Sequence, residues 1–113
     1  MCSSDLSEAI VLAEHNSIDR ATAYEVLANS AVGAPFVQYK RAAFVEPEST
    51  PVAFSLTLAE KDLRLIDQLA TESGTPMPQA AVNLDAIRAA EASIGPEADF
   101  AGLARHLRHE ART

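Results

Sequence analysis

Lys61 is the side chain in this chain whose position most needs a chemical explanation. It stands on an apolar strip, with Leu58 and Leu65 at i−3 and i+4. Thr57-Leu58-Ala59-Glu60 has the form of a capping box, in which the Thr57 hydroxyl bonds the Glu60 amide and the Glu60 carboxylate reaches back. That cap puts Lys61 about one turn into a helix, near the positive end of its dipole, where a cation is mildly unfavourable. Helix stability does not explain a lysine there, and two readings stay open. Lys61 snorkels to water, paired with Asp62 or Glu60. Alternatively, it projects toward an anionic or hydroxyl-bearing ligand in a cleft.

Other chemically capable residues carry less. His106 and His109, with Glu110, share a helix face at i, i+3 spacing and could be read as metal ligands. A solvated, basic helix end beside a chain terminus is the simpler reading, and no metal site is assigned. Glu14-His15 could be an acid–base pair, but adjacent helical residues point about 100° apart. The sequence contains no G-x-G-x-x-G, Walker loop, Cys-x-x-Cys or G-x-S-x-G. Nothing in it cradles a pyrophosphate or presents an activated nucleophile by a local motif.

The elements that must position these residues read as helices throughout. In the first, Leu6, Ala9, Ile10 and Ala13 make one face, ending near His15-Asn16. The second carries Tyr24, Leu27, Ala28 and Ala31, and breaks at Asn29, Ser30 and Gly33. Pro35 opens a third with Phe36, Tyr39, Ala43 and Phe44. Pro47 and Pro51 then bar a helix from running through the polar loop that follows. The fourth is apolar over a wide arc. Leu56, Ala59, Leu63, Ile66 and Ala70 line one side and Leu58, Leu65 and Leu69 another, which predicts a central helix ended by Gly74. The fifth runs from near Pro78, with Ala80, Leu84, Ile87 and Ile94, to Gly95-Pro96. The sixth takes Asp99 as N-cap and carries Phe100, Leu103, Ala104, Leu107 and Ala111. Arg105, His106, Arg108, His109 and Arg112 fall in its last turns. The expected fold is all-α, a compact bundle of about six helices.

Composition agrees. The 113 residues suffice for one modest core, hydrophobic residues make up 48%, and aromatics only 5%. A net charge of −7 repels phosphate backbones and argues against a nucleic-acid partner. No apolar run approaches the roughly 20 residues of a membrane span. The single cysteine, Cys2, excludes an internal disulfide framework, and a cytoplasmic location is the default. Residues 1–6, Met1-Cys2-Ser3-Ser4-Asp5-Leu6, resemble the translation of a sequencing-library adaptor read from a GTG start. They are expected to be a non-native scar or disordered tail, with a helical domain spanning 7–113.

Five stretches, taken in order, resemble one family. Ser7-Glu8-Ala9-Ile10-Val11-Leu12-Ala13-Glu14 is similar to its alanine- and glutamate-rich helix, and Ile18-Asp19 to Ser30 to its "G-L-D … L … V-L … S" helix and turn. Phe54 to Leu63 resembles its "F-x-L-x-L-x-x-K-D-L" motif. Ser73-Gly74-Thr75-Pro76-Met77-Pro78 resembles the "G-x-P-x-P" turn, and Asp99-Phe100 with Leu107 the closing "D-F-S … L" helix. The family is the β-hydroxyacid dehydrogenases, comprising 3-hydroxyisobutyrate dehydrogenase and glyoxylate/succinic semialdehyde reductase. The part resembled is the C-terminal helical domain, similar to that of 6-phosphogluconate dehydrogenase.

This resemblance implies hydride transfer between NAD or NADP and a small hydroxyacid or semialdehyde acid, in a homo-oligomer. An N-terminal Rossmann domain would bind the dinucleotide while this domain closes over the nicotinamide. By the same resemblance Lys61 contacts the cofactor, Phe54 packs near the nicotinamide pocket, and Asp62 orients Lys61 or the helix start. The catalytic lysine of the family lies in a G-x-x-x-K-x-x-N segment upstream of Ser7. Neither Lys40 nor Lys61 matches it, so no residue here inherits a catalytic role and the chain alone is expected to be inactive. His15-Asn16-Ser17 replaces a glycine-containing turn, and Asn16 is expected to take the left-handed conformation. A free-standing helical interaction module without redox activity is the alternative.

Overall fold

In a computed structural model, residues 3–111 are described. Seven α-helices lie among them: α1 Ser3–Glu14, α2 Arg20–Ala28, α3 Pro35–Tyr39, α4 Arg41–Val45, α5 Leu56–Ser73, α6 Pro78–Ile94 and α7 Leu103–Glu110. Short 3₁₀ turns occupy Pro47–Ser49 and Phe100–Gly102, and no strand is formed among the described residues beyond an isolated bridge between Ser55 and Asp99. The all-α expectation therefore holds. Met1, Cys2 and Arg112 lie outside the described residues, while Ser3 to Leu6 form the first turn of α1, with Ser3 and Leu6 buried.

The chain divides into two units, residues 1–51 with 101–113, and residues 52–100. In the first, Leu6, Ile10, Tyr24, Val37 and Phe44 are almost wholly buried in one core, with Val11, Ala23, Ala43, Ala101 and Ala104 filling between them. Tyr24 and Phe44 set the core's geometry, their ring centroids 5.7 Å apart. The Tyr24 hydroxyl donates to the Val37 carbonyl at 2.6 Å, one of the C-terminal carbonyls that a short helix leaves unbonded. Burial, opposed by the Arg41 charge, pushes that hydroxyl's pKa up to about 12, so it stays a donor.

Where the sequence predicts one helix from Pro35 to Phe44, the structure has two. Lys40 ends α3 and begins α4 at φ −89°, ψ 0°, and is itself buried. Val37 is buried in the core and Tyr39 is exposed. Gly33, in the preceding turn, is held by close approach: a Cβ there would lie 2.0 Å from the Ala28 carbonyl oxygen. The left-handed residue after α1 is Ser17, at φ +64°, rather than Asn16. The Asn16 side chain instead donates to the Leu12 carbonyl at 2.8 Å. A non-glycine residue in that region costs roughly 1 kcal/mol.

The second unit is a helical hairpin in which α5 packs on α6. Gly74 caps α5 at φ +70°, with its amide and that of Thr75 bonding back to Ala70. The α5 N-cap is Ser55, whose hydroxyl accepts from the Leu58 amide at 3.3 Å. Thr57 is therefore not the cap, and the expected capping box does not form. Its hydroxyl and amide both donate to the Pro96 carbonyl. Nor is α5 a central helix: Leu56 and Ala59 are buried, but Leu58, Leu65, Ile66 and Leu69 are 41–66% exposed.

Candidate functional site

The two units place the chemically capable side chains in separate groups. On unit 1, Glu14 at the end of α1 accepts from Arg20 Nε and, at 2.7 Å, from Arg108 Nε on α7. Arg20 also donates to the Val45 carbonyl at 3.3 Å. Burial raises the Glu14 pKa, but the hydrogen bonds and charges of the two guanidiniums outweigh it and hold the carboxyl below its ordinary value of 4.5. The sign follows: the triad's stability is present at neutral pH and is lost as pH falls below that ordinary value. Glu14 is thus a structural anion, and His15 beside it is exposed. His106 departs from the solvated helix end read from the sequence. It is buried, with Nδ1 lacking a hydrogen-bond partner, while His109 is exposed. Among the described residues no three His, Cys, Asp or Glu side chains are disposed to hold a metal ion.

On unit 2, the α5 start is fixed by backbone contacts between residues 53–57 and 96–100. Asp99 Oδ1 accepts from the Ala53 amide at 2.9 Å and the Phe54 amide at 3.1 Å. The Phe100 amide donates to the Phe54 carbonyl at 2.7 Å, and the Leu56 amide to the Ala98 carbonyl at 2.9 Å. These bonds put the Phe54 and Phe100 rings edge to face, with centroids 5.8 Å apart.

Lys61 lies in the second turn of α5. With Ser55 as cap it is six positions past the cap rather than four, and the dipole penalty, confined to the first turn, largely falls away. Its ammonium is half exposed and lies 3.2 Å from Asp62 Oδ1. Glu60 faces elsewhere: its carboxylate meets Arg64 at 3.3 Å and Arg88, on α6, at 3.7 Å. The structure therefore brings Lys61 and Asp62 together at the surface, and sets Phe54 just before the helix against Phe100.

A family model for the NAD-binding domain of NADP-dependent 3-hydroxyisobutyrate dehydrogenase matches residues 2–107. The chain belongs to that family. No curated protein sequence matches it. The family's cofactor is an anionic dinucleotide with a flat ring, and the donor set on unit 2 suits such a ligand. It presents a half-exposed ammonium, a carboxylate 3.2 Å from it and, just before the helix, a partly buried aromatic ring. Asp99 joins the start of α5 in a way that the sequence does not show. The sequence shows it only as a helix cap. Its two bonds to residues 45 and 46 positions earlier have no local signature.

Glu91, on α6, is strained electrostatically. Burial, the charge of Glu60 and a hydrogen bond with Glu60 raise its pKa, against the opposing charge of Arg88, and its Oε1 is buried without a partner. An acid whose pKa is raised by folding destabilises the fold once ionised, so the cost grows as pH rises above the ordinary value of 4.5. Glu91→Gln, which removes the negative charge facing Glu60, is expected to stabilise the chain modestly at pH 7. Thermal melts at pH 7 and pH 4 check this, since the gain should shrink at the lower pH.

Proposed function

We propose that this chain is the C-terminal, cofactor-contacting domain of an NAD(P)-dependent β-hydroxyacid dehydrogenase. In this reading the domain completes an active site with a Rossmann domain that binds the dinucleotide. The observation that carries it is the half-exposed Lys61–Asp62 pair on the helix that the family motif covers. Among the described residues the ammonium's ion pair is with its own neighbour in sequence, Asp62, rather than with another element. When bound, the nicotinamide cofactor supplies or accepts the hydride. Lys61 then holds an anionic or hydroxyl group of the cofactor, Asp62 fixes the ammonium's direction, and Phe54 offers an apolar wall that excludes water near the ring. The substrate is a small hydroxyacid or semialdehyde acid, and we place the enzyme in the cytoplasm, as single-cysteine usage suits.

The test is a titration of NADPH and NADH against the full-length enzyme that carries this domain, wild type beside Lys61→Ala. Weakened binding supports the reading and unchanged binding overturns it. The 113-residue chain by itself is expected to show no turnover of either cofactor with small semialdehyde acids, because it has neither a phosphate-binding turn nor the family's catalytic lysine. Turnover above a Lys61→Ala control, followed by absorbance of the reduced cofactor, would contradict this.

We also propose that the domain contributes to a homo-oligomer. The exposed Leu58, Leu65, Ile66 and Leu69 on α5, with Met77 and Val82 beyond it, support this reading, since soluble monomers rarely leave large apolar patches in water. The same exposure is what favours the alternative, an interaction module without redox activity. The cofactor titration separates the two.

A further inference from the structure

We infer that Asp99 is a positioning residue for the cofactor site, holding Phe54 and the start of α5 in the one arrangement from which Phe54 and Lys61 can act together. This rests on the assignment of those two residues to the cofactor. The observation is the double acceptance by a single oxygen: Asp99 Oδ1 takes the amides of both Ala53 and Phe54, at 2.9 and 3.1 Å. Two consecutive amides bonded to one fixed atom leave little rotation to the peptide that joins them. The flanking bonds, Phe100 N–H to the Phe54 carbonyl and Leu56 N–H to the Ala98 carbonyl, close the same bridge from either side. Phe54 is therefore bonded through both its amide and its carbonyl, and its ring is set against Phe100.

The consequence reaches Lys61 through the helix. Residue 54 immediately precedes the Ser55 cap, and Ser55 directs the first turn by accepting from Leu58. The direction in which α5 leaves residue 55 sets where the Lys61 backbone stands two turns on, and so the region that its flexible side chain can reach. Residues 52–54 belong to no helix, and the backbone bonds from Phe100 to Phe54 and from Leu56 to Ala98 hold this entry together with the Asp99 carboxylate, which alone engages the amides of Ala53 and Phe54. The acceptor must be an oxygen at that place; the negative charge is not what the two amides require.

Three substitutions in the full-length enzyme separate geometry from charge and from stability. Asp99→Asn keeps an oxygen acceptor at the same distance from the backbone, so it should hold NADPH and NADH affinity within about twofold of wild type. Asp99→Glu keeps the charge but moves the carboxylate out by one methylene, and Asp99→Ala removes the acceptor. Both should weaken cofactor binding about threefold to tenfold, the effect of losing one hydrogen-bonding arrangement. Titrations are made well below each variant's melting temperature, so a loss of stability alone leaves the dissociation constant unchanged. If Asp99→Ala does not fold, the comparison of Asn with Glu decides. Equal weakening by Asn and Glu, or no weakening by Glu, overturns the inference. Lys61→Ala in the same series distinguishes the failures: if it leaves affinity unchanged, the cofactor assignment itself fails. If it weakens binding while the Glu and Ala variants at 99 do not, only the role of Asp99 fails.

Discussion

Phe44→Ala should lower the stability of this chain by about 3–5 kcal/mol. Phe44 is 1% exposed, packs on the Tyr24 ring, and shares one core with Leu6, Ile10 and Val37. Removing the ring leaves a cavity beside Tyr24 and Val37, whose mutual hydrogen bond limits how far they can move to fill it. Tyr24 is held by its hydroxyl to Val37, and Val37 by a helix of only five residues. A small domain has about 5–15 kcal/mol of total stability, so this single change takes a large share of it. Urea denaturation followed by circular dichroism measures the loss. Phe44→Leu, which keeps most of the volume, should cost clearly less. A loss under about 1 kcal/mol for the alanine variant would show that Phe44 is not central to the core.

The second large effect falls on binding. In the full-length enzyme, Lys61→Ala is expected to weaken NADPH or NADH binding by roughly 10- to 150-fold, corresponding to one charge-assisted hydrogen bond of about 1.5–3 kcal/mol. The fold should be little changed, because the ammonium is half exposed and its 3.2 Å pair with Asp62 is of the surface kind that adds at most about 1 kcal/mol. Lys61→Arg should recover only part of the affinity, since a planar guanidinium cannot occupy the place of a compact ammonium. If Lys61 only snorkels, alanine leaves affinity unchanged and can improve the helix slightly. Cofactor titration and a melting curve on the same variant read both quantities.

Much of this architecture is legible in the residues. Gly74 followed by Pro76 and Pro78 marks the turn between α5 and α6, because a left-handed cap and two prolines leave a helix no other course. Leu6 and Ile10, at the helical spacing the sequence shows, are both buried. Where the fold departs from the local sequence pattern, the causes are physical. Thr57 offers the same hydroxyl as Ser55, and only the tertiary acceptor at Pro96 draws it away from the cap role. Lys40 looks like an ordinary helical lysine with no helix breaker beside it, yet α3 ends and α4 begins there. The wide apolar arc of α5 signals contact with something, but sequence alone does not say whether that surface is covered within the same chain. Of the candidate site, Lys61 stood out because its place on an apolar strip had no local explanation. Asp99 did not, because its bonds to Ala53 and Phe54 join distant parts of the chain.

The bridge between residues 53–57 and 96–100 also makes the hairpin an excursion that leaves and returns at one point. Closing a loop of that length costs entropy once, and the cost rises only slowly with added residues. Length at the far tip, around Gly74 to Met77, is therefore nearly free to drift over evolutionary time, since an insertion there does not disturb the junction where the excursion begins and ends. A unit anchored in this way can also unlatch at its base and melt separately from the rest. Native-state hydrogen exchange would then show the α5 and α6 amides sharing one opening energy, distinct from that of the Tyr24–Phe44 core.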